Sequence, residues 1–376
     1  MRTLIVADPW DIHVRAVAWA LEKMGEQVSV WYTHDFPQKS AVSISLENSN
    51  NGHTNGIEFY CARDYRPTMV LDADAVWLRR WYQPAASPKL HPADVKFAQT
   101  ESGEFIRATM QLLDEKPRFW INPIAAKLRS DRKPVQLANA MEVGLRIPRT
   151  LLSNDPERIR NFYRENDKRI VYKPLTAASW VSDDKAFATY TTRVTDELLR
   201  NDASLSNAPG IYQECIEKEF ELRITVIGRS IFAAKLESQK DGFYLTDWRA
   251  NQLDHKMPCA VFQLPLEIEE KCFALMDRLG IVFGCIDMVA TPEGGYVFLE
   301  VNEMGQFLWI EDANPDFPLL DCFVNFLAAR NPKYRYQAGN PQCSFGNFLD
   351  WMKSQPDFEP DGTRHIPLPR SYEMQE

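Results

Sequence analysis

The stretch 298-FLEVNEMGQF-307 sets Glu300, Asn302 and Glu303 among residues otherwise suited to burial. Phe298, Leu299 and Val301 are strand formers, and side chains alternate across a strand. Glu300 and Asn302 are therefore expected on one face, and Leu299 and Val301 on the other. A solvated sheet face is the plain explanation of this pattern, and metal ligation is the alternative. Reading backwards, 283-FGCIDMVATPEGGYVFLEVNEMG-305 is two apolar strands joined by TPEGG, a hairpin by turn chemistry. Antiparallel pairing across so short a turn brings Asp287 to the face of Glu300 and Asn302. The two-residue spacing sets Glu300 and Asn302 about 7 Å apart at the backbone, within reach of a magnesium pair about 4 Å across. All three are hard oxygen donors, suited to Mg²⁺ and unsuited to zinc. Unpaired carboxylates are costly to bury between apolar strands, so three aligned oxygens weigh against the plain explanation.

Two lysines stand upstream. Lys173, in 169-RIVYKPL-175, follows three strand formers and is either an edge residue or a phosphate ligand. The next residues, 176-TAASWVSDD-184, are small and polar, as expected of a loop that closes over phosphates. No GK[ST] is present, so this is not a Walker loop. Lys133 opens a helix, 130-SDRKPVQLANAMEVGLRIP-148, expected to be capped near Ser130 or Asp131 and closed by Gly144. A cation is unfavourable at that end unless an anion binds there. A third stretch, 212-YQECIEKEFELR-223, ends a strand at Gln213, Glu214 and Cys215 and turns through a charged connector. Such a connector offers backbone groups to an adenine edge and an acid to ribose hydroxyls.

The remainder reads as alternating strands and helices. TLIVAD, then 11-DIHVRAVAWALEKMG-25 with Asp11 as cap, then QVSVWY make a β-α-β start. Val14, Val17, Leu21 and Met24 line one face of that helix, and Gly25 ends it. No GxGxxG occurs at the first turn. DAVWLRRWYQP and RFWINP are further strands, and 154-NDPERIRNFYREN-166 is a helix capped at Asn154 or Asp155. From residue 169 the text is strand-rich, interrupted by the helix 266-LEIEEKCFALMDRLG-280. Beyond Arg330 it reads as an irregular appendage.

Length and charge bound the function. The 376 residues allow two or three domains, and a net charge of −9 argues against wholesale binding of nucleic acid or anionic membrane. No apolar run approaches the roughly 18 residues of a spanning helix, and the N-terminus turns polar too early for a signal peptide. The seven cysteines include no CxxC pair and read as reduced residues of a cytosolic protein.

The order of these pieces resembles the ATP-grasp superfamily: helix lysine, strand lysine with small-residue loop, Q-E-x-I connector, E-x-R strand, then Asp…Glu-x-Asn on a hairpin. Within it the chain is most similar to the microviridin-type, or graspetide, ligases that tailor ribosomal peptides. DFP at 35–37, VWLRR at 76–80, VYKPL at 171–175, ELRITVIG at 221–228 and DWR at 247–249 carry the resemblance, which spans roughly residues 1 to 330. It departs at Arg79-Arg80-Trp81, where the family often writes Arg-Arg-Pro, and at Glu303-Met304, where a small residue or Pro is usual.

The resemblance implies an α/β, or α+β, chain. A pre-ATP-grasp domain at 1–124 would precede two ATP-grasp subdomains, 125–207 and 208–332, that grip ATP between antiparallel sheets, with an irregular tail at 333–376. It implies that Lys133 and Lys173 hold the α- and β-phosphates, and it adds Ser179 and Gln213 to the nucleotide set. Glu214 and Ile216 fall where backbone meets adenine, and Glu221, before Glu219, where an acid meets ribose. Asp287, Glu300 and Asn302 match ligands of two Mg²⁺ ions. Arg223 and Lys235 fall where basic groups face the γ-phosphate, and Arg249 where they face phosphate or the incoming carboxylate. Arg79 and Arg80 are candidates for holding a peptide.

The implied reaction activates Asp or Glu side chains of a precursor peptide, with leader and core, as acyl phosphates. An amine or hydroxyl of the same peptide then forms an amide or ester crosslink. A ligase of free amino acids or of a peptide terminus shares every ATP residue and stays open, as does a homodimer. A regulatory protein with a degenerate nucleotide site is the reading from another class.

Overall fold

The computed structural model describes residues 2–47, 56–63, 66–68, 73–116, 118–176, 179–182, 185–188, 191–236, 258–337, 343–355 and 365. The chain opens as its sequence predicts, with β1 (Arg2–Ala7), α1 (Ile12–Lys23) and β2 (Gln27–Tyr32). The Asp11 carboxylate accepts from His13 N at 2.9 Å and caps α1. Three antiparallel strands, β3 (Ser40–Glu47), β4 (Gly56–Arg63) and β5 (Arg66–Thr68), then form a sheet of their own. β6 (Ala75–Leu78), α2 (Pro92–Asp114) and β7 (Phe119–Ile121) complete the N-terminal part with a parallel sheet ordered β2-β1-β6-β7. Its inner strands are fully apolar (Leu4 to Ala7, Ala75 to Leu78) because helices and neighbouring layers cover both faces.

Two short helices follow, α3 (Ile124–Ser130) and α4 (Lys133–Glu142). The expected cap at Ser130 or Asp131 is corrected here. Ser130 ends α3, and α4 starts from Arg132 without a side-chain cap, Pro134 in its first turn supplying the helical φ. Gly144 closes it at φ +75°, as predicted. The next strands and helices are β8 (Thr150–Ser153), α5 (Pro156–Glu165), β9 (Ile170–Lys173), β10 (Ser179–Ser182), β11 (Lys185–Ala188), β12 (Thr192–Arg193), α6 (Asp202–Asn207) and β13 (Gly210–Glu214). They give a four-stranded antiparallel sheet ordered β12-β9-β13-β8, on which α5 packs through Ile159 and Tyr163. The stretch expected to be a loop is instead, in part, an antiparallel pair, β10 with β11, in which the strand formers Trp180 and Val181 pair with Phe187 and Ala186.

The last sheet is antiparallel, ordered β16-β15-β14-β17-β18. It comprises β14 (Phe220–Ile227), β15 (Ser230–Leu236), β16 (Cys259–Phe262), β17 (Phe283–Ala290) and β18 (Tyr296–Asn302), with α7 (Leu266–Leu279) between β16 and β17. One face, carrying Leu222, Ile224, Ile286, Met288, Phe298 and Val301, packs on Leu137 and Ala140 of α4 and Leu275 and Met276 of α7. The hairpin TPEGG is confirmed, with one change. A bulge pairs Asp287 with Glu300 but Met288 with Phe298, skipping Leu299. Phe298, not Leu299, therefore shares the core face with Val301, since one extra residue inverts the alternation beyond it.

The chain ends through α8 (Leu308–Ala313), α9 (Leu319–Ala329) and α10 (Phe345–Lys353). The expectation of an irregular tail fails at α10. Ser344 caps it, Phe345 and Phe348 are buried, and Trp19 of α1 meets the Phe348 and Trp351 rings at 5.8 and 6.1 Å. Farther on, His365 Nδ1 lies 2.8 Å from Asp35 Oδ2 in the N-terminal part. Among the described residues, no helix is long and apolar enough to cross a membrane.

Candidate active site

The polar face of the five-stranded sheet is a set of cross-strand rows. Residues paired in register share a face, so Arg223 on β14, Asp287 on β17 and Glu300 on β18 form one row. Asn302 lies one step along β18 on the same face, and Glu221 one step along β14 the other way. Arg223 Nη1 donates to Asp287 Oδ1 at 2.7 Å, and Asn302 Nδ2 reaches Asp287 Oδ2 at 3.3 Å. Lys133 Nζ lies 3.3 Å from Glu300 Oε2, so the helix lysine joins this row. Each carboxylate of the row thus faces a cation, which offsets the cost of their burial. Glu221 is buried and ion-paired to Lys218 at 2.9 Å.

After Asn302 the backbone turns tightly, with Gly305 N donating to Asn302 O at 3.0 Å. A Cβ at Gly305 would stand 2.5 Å from Cys285 Sγ, so only glycine fits there. The two residues that depart from the family pattern are built into this turn. Glu303 is buried, 3.2 Å from Lys127 Nζ. Burial raises its carboxyl pKa, and Lys127 offsets part of that rise.

The four-stranded sheet presents a matching face. Register sets Lys173 beside Ile211, and Val171 beside Gln213 and then Thr150, all on the side away from α5. Tyr172 and Tyr212 take the α5 side. Gly210 is required there, because a Cβ would come within 2.2 Å of the Tyr172 ring. The Gln213 side chain is committed within the sheet, donating to Thr150 Oγ1 at 3.0 Å. Glu214 N donates to Arg149 O at 2.9 Å, and its carboxylate accepts from Arg149 N. Beyond it the chain leaves the sheet at the half-buried Ile216.

Two sequence expectations change. Lys235 pairs in register with Leu222, whereas Arg223 pairs with Ala234, so Lys235 lies on the opposite face from Arg223. Its ammonium sits 4.4 Å from the centroid of the Phe220 ring, on the helix-packed side. The two-residue turn Gly228-Arg229 fixes this parity and was the available signal. Arg79 is fully buried and paired to Asp11 at 2.8 Å, so it is not available to a peptide. Arg80 is half-buried, in reach of the Tyr82 hydroxyl at 3.5 Å. Arg249 lies outside the described residues, and Ser179 opens β10 with its side chain outside them.

Gln136 was missed. One turn beyond Lys133 on α4, its amide accepts from Val301 N at 2.9 Å and donates to Val301 O at 2.8 Å. It completes the edge strand's hydrogen bonding and holds Lys133 beside Glu300. An amide three residues after the lysine, on the same helix face, was the clue.

No family model matches the sequence, and no curated protein matches it. Solved structures do. An ATP-grasp ligase associated with ribosomally synthesised, modified peptides from Chryseobacterium gregarium, in complex with ADP and a leader and core peptide, is 25% identical with a TM-score of 0.79, covering 89% of this chain and 99% of that one. The macrocyclase MdnC of Microcystis aeruginosa MRC, bound with its precursor peptide MdnA, is 29% identical with a TM-score of 0.74, covering 88% and 100%. MdnB of the same organism, also a macrocyclase, is 27% identical with a TM-score of 0.71, covering 87% and 98%. Fold and site together define an ATP-grasp ligase. Within that class the chain is of the graspetide type that its sequence motifs resemble.

Proposed function

We propose that the chain uses ATP to activate Asp or Glu side chains of a ribosomal precursor peptide and joins them to hydroxyl or amino groups of the same peptide. The observation that carries this is the row Arg223, Asp287, Glu300 with Lys133 and Asn302 on a ligase fold. The peptide is proposed from the complexes of the similar ligases with leader and core peptides. The division into 1–124, 125–207 and 208–332, and a cytoplasmic location, belong to the same proposal.

Magnesium fits the donor set. Asp287, Glu300 and Asn302 offer hard oxygens on one face, and Asn302 presents its carbonyl oxygen if its amide is turned from Asp287. Among the described residues no group of three His, Cys, Asp or Glu could hold a metal, and in this proposal nucleotide phosphates would complete the shell. When bound, Mg²⁺ supplies neutralisation of the phosphate charge that develops during transfer.

The protein's own groups do the rest. Val171 and Ile211 form an apolar platform for adenine, and the Ile216 backbone meets its edge, since the Glu214 N–H is already committed to Arg149. Glu221 accepts from ribose hydroxyls. Lys133 from α4 and Lys173 from β9 hold phosphates, and Ser179 belongs to the same nucleotide set. Arg223 faces the γ-phosphate, and Arg80 and Arg249 serve the peptide carboxylate. A carboxylate oxygen attacks the γ-phosphorus; the bond to ADP breaks and an acyl phosphate forms. A hydroxyl or amine then attacks the acyl carbon, loses its proton, and inorganic phosphate leaves. Positioning and electrostatics supply most of the acceleration in such transfers. Closure by β10–β11 would exclude water from the acyl phosphate.

The test incubates the full chain with ATP, Mg²⁺ and short peptides rich in Thr, Ser, Lys, Asp and Glu. ADP release together with loss of one water per crosslink by mass spectrometry is expected. Turnover on free amino acids alone would replace the peptide reading with the amino-acid ligase reading. Binding of ATP without turnover on any substrate would leave only a nucleotide-binding protein.

A further inference from the structure

The turn that carries the site is held from β6, α1 and the end of β7 as well as from its own sheet. Arg79, at the end of β6, donates through Nη1 to Met304 O and lies 3.5 Å from Gly305 O. His13, at the start of α1, accepts through Nε2 from Phe307 N at 3.1 Å and Leu308 N at 3.2 Å. Asp11 joins the two, meeting Arg79 Nε at 2.8 Å and His13 Nδ1 at 3.2 Å. Asn122, after β7, donates to Glu303 O at 2.9 Å and to Phe283 O at 2.8 Å. From the other side, Arg223 Nη2 donates to Gln306 O at 3.0 Å while Nη1 holds Asp287. The carbonyls of residues 303 to 306 and the amides of Phe307 and Leu308 are thus held by side chains that are themselves buried.

The hydrogen bonds fix the state of His13. Nε2 accepts two amide protons and so carries none, which leaves Nδ1–H to donate to Asp11. Burial lowers the His13 pKa, although Asp11 opposes this, in keeping with a neutral ring. Burial pushes the Asp11 carboxyl upward, but the His13 hydrogen bond and the Arg79 charge outweigh it and hold the group well below the usual range.

We infer that Asp11, His13 and Arg79 are positioning residues of the ligase reaction, fixing the 303–308 turn so that Gln306 O orients Arg223 against Asp287. The inference rests on the active-site assignment proposed above. None of the three touches substrate; each acts through the turn. A misplacement of about 1 Å at reacting groups costs roughly a hundredfold in rate. The N-terminal part then does more than receive a peptide: its α1 and β6 ends complete the geometry of the phosphate site.

His13→Leu and His13→Gln in the full chain separate positioning from packing. Leucine keeps the apolar volume but leaves the Phe307 and Leu308 amides without an acceptor; glutamine restores an acceptor oxygen. With leucine, kcat measured well below the melting temperature should fall about tenfold to a hundredfold while ATP affinity stays within about twofold. Glutamine should recover most of the loss. Adding Arg223→Lys to His13→Leu should cost little beyond Arg223→Lys alone, since both act through Gln306; distant, independent sites would multiply. Hydrogen exchange at Phe307 and Leu308 should quicken with leucine and not with glutamine, a readout that needs no turnover. Should His13→Leu fail to fold, Asp11→Asn loosens the same pair at constant volume and should lower kcat likewise. Unchanged kcat in a folded His13→Leu or Asp11→Asn chain, fully multiplicative losses, or unchanged exchange at residues 307 and 308 would each overturn the inference. A wild-type chain without turnover on any peptide would sink the ligase reading instead, and the exchange result would still decide whether the clamp exists.

Discussion

The two antiparallel sheets proposed to face the nucleotide are built differently. The five-stranded sheet is wedged between large cores: Leu222, Ile286 and Phe298 belong to one, and Phe283, Cys285 and Leu236 to another that reaches α1, α9 and α10. Among the described residues the four-stranded sheet has a small core of its own, Ile159, Tyr163, Ile170 and Tyr212 with a few neighbours under α5. A unit with few buried apolar contacts opens or shifts at lower free energy than one packed on both sides. The comparison assigns separate tasks. Under the proposed function, the stiff sheet holds the groups that meet developing charge (Arg223, Asp287, Glu300, Asn302), where misplacement is costly. On the same proposal, the lighter sheet holds Lys173 and the adenine platform, which would admit the nucleotide and close on it.

Glu300→Gln tests the stiff side and carries the largest expected effect. The change keeps the side-chain shape and removes one charge from the row, leaving Lys133 half-paired. Turnover should fall about 10³-fold, at the upper end of what one preorganised charge-stabilising group contributes. The melting temperature should move little, since Glu300 is only partly buried. Turnover within tenfold of wild type would remove Glu300 from the metal set and with it the contrast between the sheets.

Lys173→Ala tests the lighter side. A lost charge-assisted hydrogen bond to phosphate amounts to about 1.5 to 3 kcal/mol, so the KM for ATP should rise about tenfold or more with a smaller change in kcat. If kcat fell as far as with Glu300→Gln while KM stayed constant, the two sheets would share one task.

Much of this was legible in the sequence, and the failures have a common cause. The hairpin of Asp287, Glu300 and Asn302 was readable because turn chemistry and period-two alternation are local. Lys173 was readable for the same reason, as a cation ending a run of strand formers. Leu299 was misassigned because a bulge depends on the partner strand. Arg79 reads as a surface cation until Asp11 and the Met304 carbonyl, distant in sequence, enclose it. The α10 helix could have been read from Ser344 followed by Phe345, Phe348 and Trp351 at helical spacing, but the flanking Pro and polar residues masked it.

Lys235→Ala has the smallest expected effect and tests the face assignment directly. If the sheet pleat is as described, Lys235 points toward Phe220 and the helix-packed side, and Ala234 takes the place beside Arg223. Removing the ammonium then costs its contact with the ring, about 0.5 to 1 kcal/mol at a partly exposed site. The melting temperature should drop slightly, and kcat and the KM for ATP should each stay within about twofold. Strand residues one apart differ by a full reversal of direction, so Lys235 cannot serve the phosphate face without a slip of register. Such a slip would also carry Arg223 away from Asp287 or Phe232 out of its packing. A tenfold loss of turnover in a folded Lys235→Ala chain would therefore contradict the β14–β15 pairing itself, and would restore the role that its place in the family pattern implies.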